Sequence, residues 1–106
     1  MIDIESVKFD RNGLVPAIVQ DSHTLKVLML GYMSKESLQL SIATGKVTFW
    51  SRSRNEIWVK GATSGNFLNL VALSVDCDSD SILVTASPEG PTCHTGSESC
   101  FDDGDN

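Results

Sequence analysis

The residues with the clearest capacity for chemistry lie in the last third of the chain. All three cysteines are found there, together with one of the two histidines. The first cysteine stands within a run of alternating aspartates, Asp76-Cys77-Asp78-Ser79-Asp80, and the other two are Cys93 and Cys100. Thiolates suit zinc, whereas clustered carboxylates suit magnesium, manganese or calcium. The sequence therefore indicates two metal sites of different chemistry.

The aspartate run is predicted to continue a β-strand that begins at Leu68. Side chains alternate between the two faces of a strand, so an extended segment places Asp76, Asp78 and Asp80 on one face. Cys77 then points to the other, apolar face. Two simpler interpretations stay open, since a lone cysteine on an apolar strand face is usually a core residue and an acidic run is usually a solvated turn. The run lacks the glycine and distal glutamate of an EF-hand loop.

Length and composition narrow the class of protein. The 106 residues predict a single domain over 1–106, with a disordered tail over 102–106. The sequence shows no apolar run long enough to span a bilayer and no export signal, so we expect a cytoplasmic protein with no membrane partner. An odd number of cysteines without an export signal argues against disulfides. The net charge of −6 argues against a nucleic-acid partner.

The pattern of apolar residues predicts a β-rich α+β fold: a curved mixed or antiparallel sheet, or an open pseudo-barrel, with one short covering helix. The helix is expected to begin after an N-cap at Ser34, to bury Leu38 and Ile42, and to end at Gly45. Pro16 indicates that the first strand lies at a sheet edge. The predicted strands are 14–19, 27–32, 46–52, 57–60, 68–78 and 81–86.

A loop rich in glycine and hydroxyl groups, residues 61–66, separates the fourth and fifth predicted strands. Such a loop can bring backbone N–H groups close to phosphate oxygens, although it can equally be a plain connection. Guanidinium and ammonium groups nearby favour the phosphate interpretation. The candidate phosphate-binding residues are Arg52, Arg54, Lys60, Thr63 and Ser64.

Seven segments of the sequence form a recognisable series of motifs. They are Gly13-Leu14-Val15-Pro16, Leu28-Met29-Leu30-Gly31-Tyr32-Met33, Phe49-Trp50-Ser51-Arg52-Ser53-Arg54, Lys60-Gly61-Ala62-Thr63-Ser64-Gly65-Asn66, Asp76-Cys77-Asp78-Ser79-Asp80, Cys93-His94-Thr95-Gly96 and Ser99-Cys100-Phe101. In this order, from about Gly13 to Phe101, they resemble the phosphoribosyl-AMP cyclohydrolase family of histidine biosynthesis. Two departures from the family pattern are Ala62, where many relatives have glutamate, and Ser97-Glu98, where many have a basic residue.

The resemblance implies a metal-dependent hydrolase that opens the adenine ring of 1-(5-phosphoribosyl)-AMP at the N1–C6 bond. It implies a zinc ion held by Cys77, Cys93 and Cys100, with His94 as the proton shuttle. It also implies an intertwined homodimer in which each zinc site is completed across the interface. Magnesium is expected on the three aspartates, Asp76, Asp78 and Asp80, where it can bridge a substrate phosphate.

Two other classes remain in view. A zinc-dependent base deaminase performs similar chemistry at purine C6, but its H-x-E and P-C-x-x-C signatures are missing from this sequence. A non-enzymatic zinc module closes its site with four protein ligands, and here His94 is the one candidate for the fourth. Ring opening without ammonia release distinguishes the cyclohydrolase from both.

Overall fold

The computed structural model describes residues 2–102, which form six strands, one α-helix and a short 3-10 helix at Ile4–Ser6. The predicted β-rich fold with one helix is confirmed. Of the predicted disordered tail only Asp102 is among these residues, and its carboxylate pairs with Lys26 at 2.6 Å; the rest of that prediction lies outside the described residues. The elements are β1 (Leu14–Asp21), β2 (Val27–Ser34), α1 (Lys35–Thr44), β3 (Thr48–Ser51), β4 (Glu56–Val59), β5 (Leu68–Val75) and β6 (Ile82–Pro88).

The main sheet has four strands in the order β2-β1-β6-β5. It is mixed, because β1 runs antiparallel to β2 and parallel to β6, while β5 and β6 are antiparallel. The prediction that Pro16 marks an edge strand is wrong, since β1 lies inside the sheet. The strand tolerates the proline because its pairing with β6 starts only at Ala17, so Pro16 lies beyond the end of that neighbour.

Strand β5 ends at Val75, and the prediction that it extends through Asp78 is wrong. The Asp76 carboxylate accepts hydrogen bonds from the N–H groups of Asp80 and Ser81 at 3.0 and 3.1 Å. Ser79 adopts φ 64°, and its N–H donates to the Asp76 carbonyl. Local side-chain bonds of this kind compete with a strand ladder and favour a turn. The aspartate run is therefore the turn that joins β5 to β6.

The expected alternation within β5 also fails at one position. A register shift lies between Leu70 and Ala72, which leaves Val71 51% exposed. Leu68 consequently shares the core face with Leu73 rather than with Ala72. Such a bulge adds one residue to a strand, so each side chain after it points to the opposite face of the sheet from the one that simple alternation predicts.

Helix α1 begins and ends as predicted. Ser34 caps it in a reciprocal pair of hydrogen bonds with Ser37, and Gly45 ends it at φ 75°. Leu38 is fully buried, but Ile42 is 37% exposed, contrary to expectation. Ser41 takes the inward position instead, because its hydroxyl accepts the Thr48 N–H at 2.8 Å.

The β3–β4 hairpin forms a second, two-stranded sheet. The chain before β3 connects it to the main sheet: the Val47 N–H donates to the Leu68 carbonyl, and Lys46 forms a bridge with Asn69. The main sheet is mixed, and the two sheets do not close into a barrel, as predicted. The helix within residues 2–102 is not long and apolar enough to cross a membrane.

Candidate active site

A cavity of about 530 Å³ opens between the β3–β4 hairpin, the glycine-rich loop 61–66 and the loop that follows β6. It brings together six of the residues singled out from the sequence. Sequence reasoning missed three further wall residues, Trp58, Asn66 and Thr92. Trp58 gave no chemical signal in the sequence, and the other two depend on the folding of their loops. The six predicted residues in the wall are Arg54, Lys60, Thr63, Ser64, Cys93 and His94.

The shape of the glycine-rich loop depends on Gly61. This residue adopts φ 97°, and a Cβ atom there would lie 2.5 Å from the backbone nitrogen of Phe67. The loop closes through a hydrogen bond from the Gly65 N–H to the Gly61 carbonyl at 2.7 Å. Within residues 2–102, the N–H groups of Thr63 and Ser64 make no hydrogen bond. Backbone donors left free in a cavity wall suit an anion.

The loop after β6 is held to the rest of the fold at two places. Its first part folds back on itself, with the Cys93 N–H donating to the Ser97 carbonyl at 3.1 Å. Its last part is attached to β2, because the buried Ser99 hydroxyl donates to the Val27 carbonyl at 2.6 Å. The Cys100 N–H donates to the neighbouring Leu28 carbonyl at 2.7 Å. These bonds place Cys93 and Cys100 in one loop beside β2.

The two thiols of this loop differ in their electrostatic surroundings. The Thr95 hydroxyl donates to the Cys93 sulfur at 3.1 Å. This bond, helped by the Thr95 N–H and the charge of Lys60, lowers the pKa of the Cys93 thiol. Burial raises the pKa of the Cys100 thiol, and the nearby Cys93 raises it further. Cys93 therefore becomes the thiolate first, which is the form that binds metal.

Cys77 lies in a different part of the molecule. It is exposed in the turn between β5 and β6, whereas Cys100 contacts β2 at the opposite edge of the sheet. At least two strand spacings, about 10 Å, separate these places. Sulfur ligands of one tetrahedral zinc lie about 4 Å apart. Within residues 2–102, a single chain therefore brings Cys93 and Cys100 together but not Cys77.

The three aspartates form a compact cluster in the same turn as Cys77. One carboxylate oxygen from each of Asp76, Asp78 and Asp80 lies within 4.8 Å of the others, and all three residues are exposed. Hydrogen bonds with Asp78 and Asp76, burial and repulsion raise the pKa of Asp80. Burial alone would raise the pKa of Asp76, but hydrogen bonds from its neighbours and from the Ser81 N–H lower it. Carboxylates this close favour either a shared proton or a cation.

Arg52 is not among the residues of the cavity. Its guanidinium lies over the ring of Tyr32, with the guanidinium carbon 3.9 Å from the ring centroid. The neighbouring basic residue of the same hairpin, Arg54, faces the cavity. The candidate phosphate-binding residues are therefore divided between two surfaces of the β3–β4 hairpin.

Comparison with known proteins identifies the family of this chain. The family model described as phosphoribosyl-AMP cyclohydrolase matches residues 29–102, and the chain belongs to this family. The phosphoribosyl-AMP cyclohydrolase of Chloroherpeton thalassium is 54% identical over 98 residues, which cover 92% of this chain and 70% of the relative. The histidine biosynthesis bifunctional protein HisIE of Bacteroides thetaiotaomicron is 56% identical over 94 residues, which cover 88% of this chain.

The chain spans about half the length of the bifunctional relatives that it matches. The match covers 46% of the Bacteroides thetaiotaomicron protein and 44% of the HisIE protein of Campylobacter jejuni, which is 54% identical over 91 residues. The residues that the family model matches, 29–102, include those of the cavity, the cysteine loop and the aspartate turn.

Proposed function

We propose that this chain hydrolyses the N1–C6 bond of the adenine ring in 1-(5-phosphoribosyl)-AMP, the third step of histidine biosynthesis. The observation that carries the proposal is one cavity that contains both Cys93-His94 and the basic, hydroxyl-rich wall. The first pair supplies metal-ligating and proton-transferring groups, and the wall supplies donors for a phosphate. Membership of the cyclohydrolase family supports this assignment.

Cys77, Cys93 and Cys100 are the proposed zinc ligands. Zinc bound by three protein ligands keeps one position for water and lowers the pKa of that water to about 7. The chain contributes the orientation of the sulfurs: Ser99 attaches the Cys100 segment to β2, and Thr95 holds the Cys93 sulfur. Lys60 lines the same cavity, and its positive charge acts on both of these thiols. Its charge offsets part of the negative charge that three thiolates bring.

A second chain is the proposed source of Cys77. The separation of Cys77 from Cys93 and Cys100 within one chain supports a site shared by two chains, in which the three sulfurs can meet. The outer face of the main sheet offers an apolar surface for such a partner. Ile18 lies beside Leu30 on β2 and beside Leu83 on β6, and all three are between 38% and 47% exposed. These features support a homodimer with shared zinc sites.

The aspartate cluster is the proposed magnesium site. Three carboxylates within 4.8 Å supply the hard oxygen ligands that magnesium prefers. In a shared site, the aspartates of one chain accompany its Cys77 to the cavity of the other chain. Magnesium held by these carboxylates would supply positive charge to a phosphate of the substrate.

His94 is the proposed proton carrier, because it lines the cavity next to a thiol ligand. An imidazole nitrogen of His94 takes a proton from the attacking water, whose oxygen bonds to C6. The N1–C6 bond then breaks, and the proton passes from the imidazole to N1. The oxygen stays on C6 as the carbonyl of a carboxamide, and its second proton passes to the exocyclic nitrogen on C6, which becomes the carboxamide NH2. No amine is therefore lost from the purine.

The test is incubation with 1-(5-phosphoribosyl)-AMP in the presence of zinc and magnesium. We expect the ultraviolet spectrum to change as the ring opens, with no release of ammonia. Ammonia release would assign the chain to the deaminase class, and an unchanged spectrum with metal-loaded protein would refute the proposal. The Cys93→Ser variant is the matched negative control, because it removes one sulfur and keeps a hydroxyl of similar size.

A further inference from the structure

Arg52 has a structural environment that the proposed mechanism leaves unexplained. Its guanidinium stacks on the ring of Tyr32, a half-buried residue of β2. Stacking uses the flat face of the guanidinium and leaves the N–H donors at its edge free. The stack also fixes the orientation of the group, so a ligand at the edge meets a donor that is already in place.

No acidic side chain within residues 2–102 pairs with this guanidinium. The ion pairs there join Lys26, Lys35 and Lys46 to carboxylates and do not include Arg52. Beside Arg52 lies a recess of about 530 Å³ whose wall includes Asn12, Ser34 and Asn55. These side chains carry amide and hydroxyl groups that can donate hydrogen bonds. A fixed cation among neutral donors, in a chain of net charge −6, is suited to an anion.

This recess is connected to the cavity that contains Cys93 and His94. A groove of about 480 Å³, with Tyr32 and Phe49 in its wall, lies between them. The groove shares Ser51, Ser53 and Trp58 with the cavity on one side. On the other side it shares Trp50 and Arg52 with the recess. The cavity, the groove and the recess are therefore neighbours along the β3–β4 hairpin, with Arg54 in the wall of the first and Arg52 in the wall of the last.

We propose that Arg52, with Asn12 and Asn55, forms a second phosphate subsite, which binds one phosphoribosyl arm of the substrate while the other arm is held at Arg54 and Lys60. The inference rests on the proposed function for the identity of the substrate, which carries two phosphate monoesters. The groove then holds the ribose between the reacting ring and Arg52. Two phosphates bound at separate places would account for the different positions of Arg52, which stacks on Tyr32, and Arg54, which lines the cavity.

The two tryptophans of the chain make the subsite measurable without any catalysis. Trp50 lies in the wall of the Arg52 recess, and Trp58 lies in the wall of the Cys93 cavity. Both also line the groove between the two places, so the readout is how strongly each indole N–H signal in a ¹H–¹⁵N NMR spectrum depends on Arg52 or on Arg54. Ribose 5-phosphate is the probe, since it carries one phosphate monoester and fits either place. We expect it to shift both indole signals in the unaltered protein.

The matched variants are Arg52→Gln and Arg54→Gln. We expect Arg52→Gln to weaken the response of Trp50 to ribose 5-phosphate by about tenfold or more and to weaken that of Trp58 much less. Arg54→Gln is expected to do the opposite. In Arg52→Lys the charge remains but the planar stack is lost, so we expect only partial recovery at Trp50. Asn12→Asp and Asn55→Asp, which add negative charge to the recess, are each expected to weaken the Trp50 response as well.

The outcomes separate this inference from the proposed function. If Arg52→Gln leaves the Trp50 response unchanged, or abolishes both responses equally, the separate subsite is refuted even in an active enzyme. If the unaltered protein opens no purine ring but Trp50 responds in an Arg52-dependent way, the phosphate subsite stands and the proposed function fails. In an active enzyme, Arg52→Gln is expected to raise the KM for the substrate by about tenfold or more, and more than it lowers kcat.

Discussion

The Thr95 hydroxyl donates a hydrogen bond to the Cys93 sulfur across 3.1 Å. The two residues belong to the tight turn that the Gly96 N–H closes by donating to the Cys93 carbonyl at 2.9 Å. A donor two residues away along the chain thus stabilises the thiolate before any metal binds.

Thr95→Val is expected to raise the pKa of the Cys93 thiol, because a thiolate loses the hydrogen bond that favours its charged form. The rate of alkylation of Cys93 in metal-free protein, followed by mass spectrometry against pH, gives this pKa. The alkylation midpoint should move to higher pH in Thr95→Val. Thr95→Ser keeps the hydroxyl and should retain the original midpoint. A midpoint that is the same in all three proteins would show that the hydroxyl has no effect on the thiol.

The second prediction concerns the sharing of the zinc site between chains. Cys77→Ser and Cys93→Ser chains are each expected to be folded, inactive and weak in zinc binding. When the two are unfolded together and refolded as a mixture, each mixed dimer should contain one doubly altered site and one intact site, so activity should return. The measurement is activity of the mixture, with mixed dimers verified by mass spectrometry.

A control for this experiment is a mixture of Cys93→Ser and Cys100→Ser chains. These residues lie in the same loop, so both belong to the same side of a shared site, and no mixed dimer can contain an intact set. That mixture should stay inactive. Mixed Cys77→Ser and Cys93→Ser dimers without activity would mean that each chain supplies all its own ligands.

The third prediction separates the two metals. Asp78→Asn removes one carboxylate from the aspartate cluster, and we expect magnesium affinity to fall by about tenfold or more while zinc content stays near that of the unaltered protein. Calorimetric titration with magnesium and metal analysis provide the two values. Glu56→Gln is the control, because it removes an exposed carboxylate from the hairpin and changes the net charge by the same amount as Asp78→Asn. Zinc loss as large as that of Cys77→Ser would contradict two separate sites.

The fourth prediction tests the glycine-rich loop with two glycines of similar backbone conformation. Gly61 and Gly65 have φ values of 97° and 83°, but only the first has neighbours within 4 Å of an added Cβ. Gly65→Ala should lower the free energy of unfolding by about 1 kcal/mol. Gly61→Ala should lower it by about 3 kcal/mol or more and also weaken phosphate binding, because the loop must shift away from Phe67. Equal losses in urea denaturation would show that the contact with Phe67 is unimportant.

Several features of the fold were predictable because a few neighbouring residues determine them. The Ser34 cap and the Gly45 end of the helix depend on hydrogen bonds and dihedral angles within one turn. The chemistry of the candidate site was also readable, since a thiol or carboxylate keeps its ligand preference in any fold. The order of the motifs indicated the family, which the comparisons confirm.

The parts that could not be predicted depend on residues far apart in the sequence. Pro16 lies in an interior strand because β6 pairs with β1 only from Ala17 onward, and no local signal specifies that register. The turn at Asp76 was missed because strand alternation and a side-chain-stabilised turn are both compatible with the same alternating residues. The bonds from Asp80 and Ser81 decide in favour of the turn.

The sequence by itself determined which chemical groups are available, the family and the local ends of the helix. The tertiary structure alone decided which of those groups meet. It placed Cys93, His94 and Lys60 in the wall of one cavity, separated Cys77 from the other cysteines, and put Arg54 but not Arg52 in that wall. The reason is that side-chain chemistry and short turns are local properties, whereas distances across a sheet follow from strand order and register, which arise only when distant segments pair.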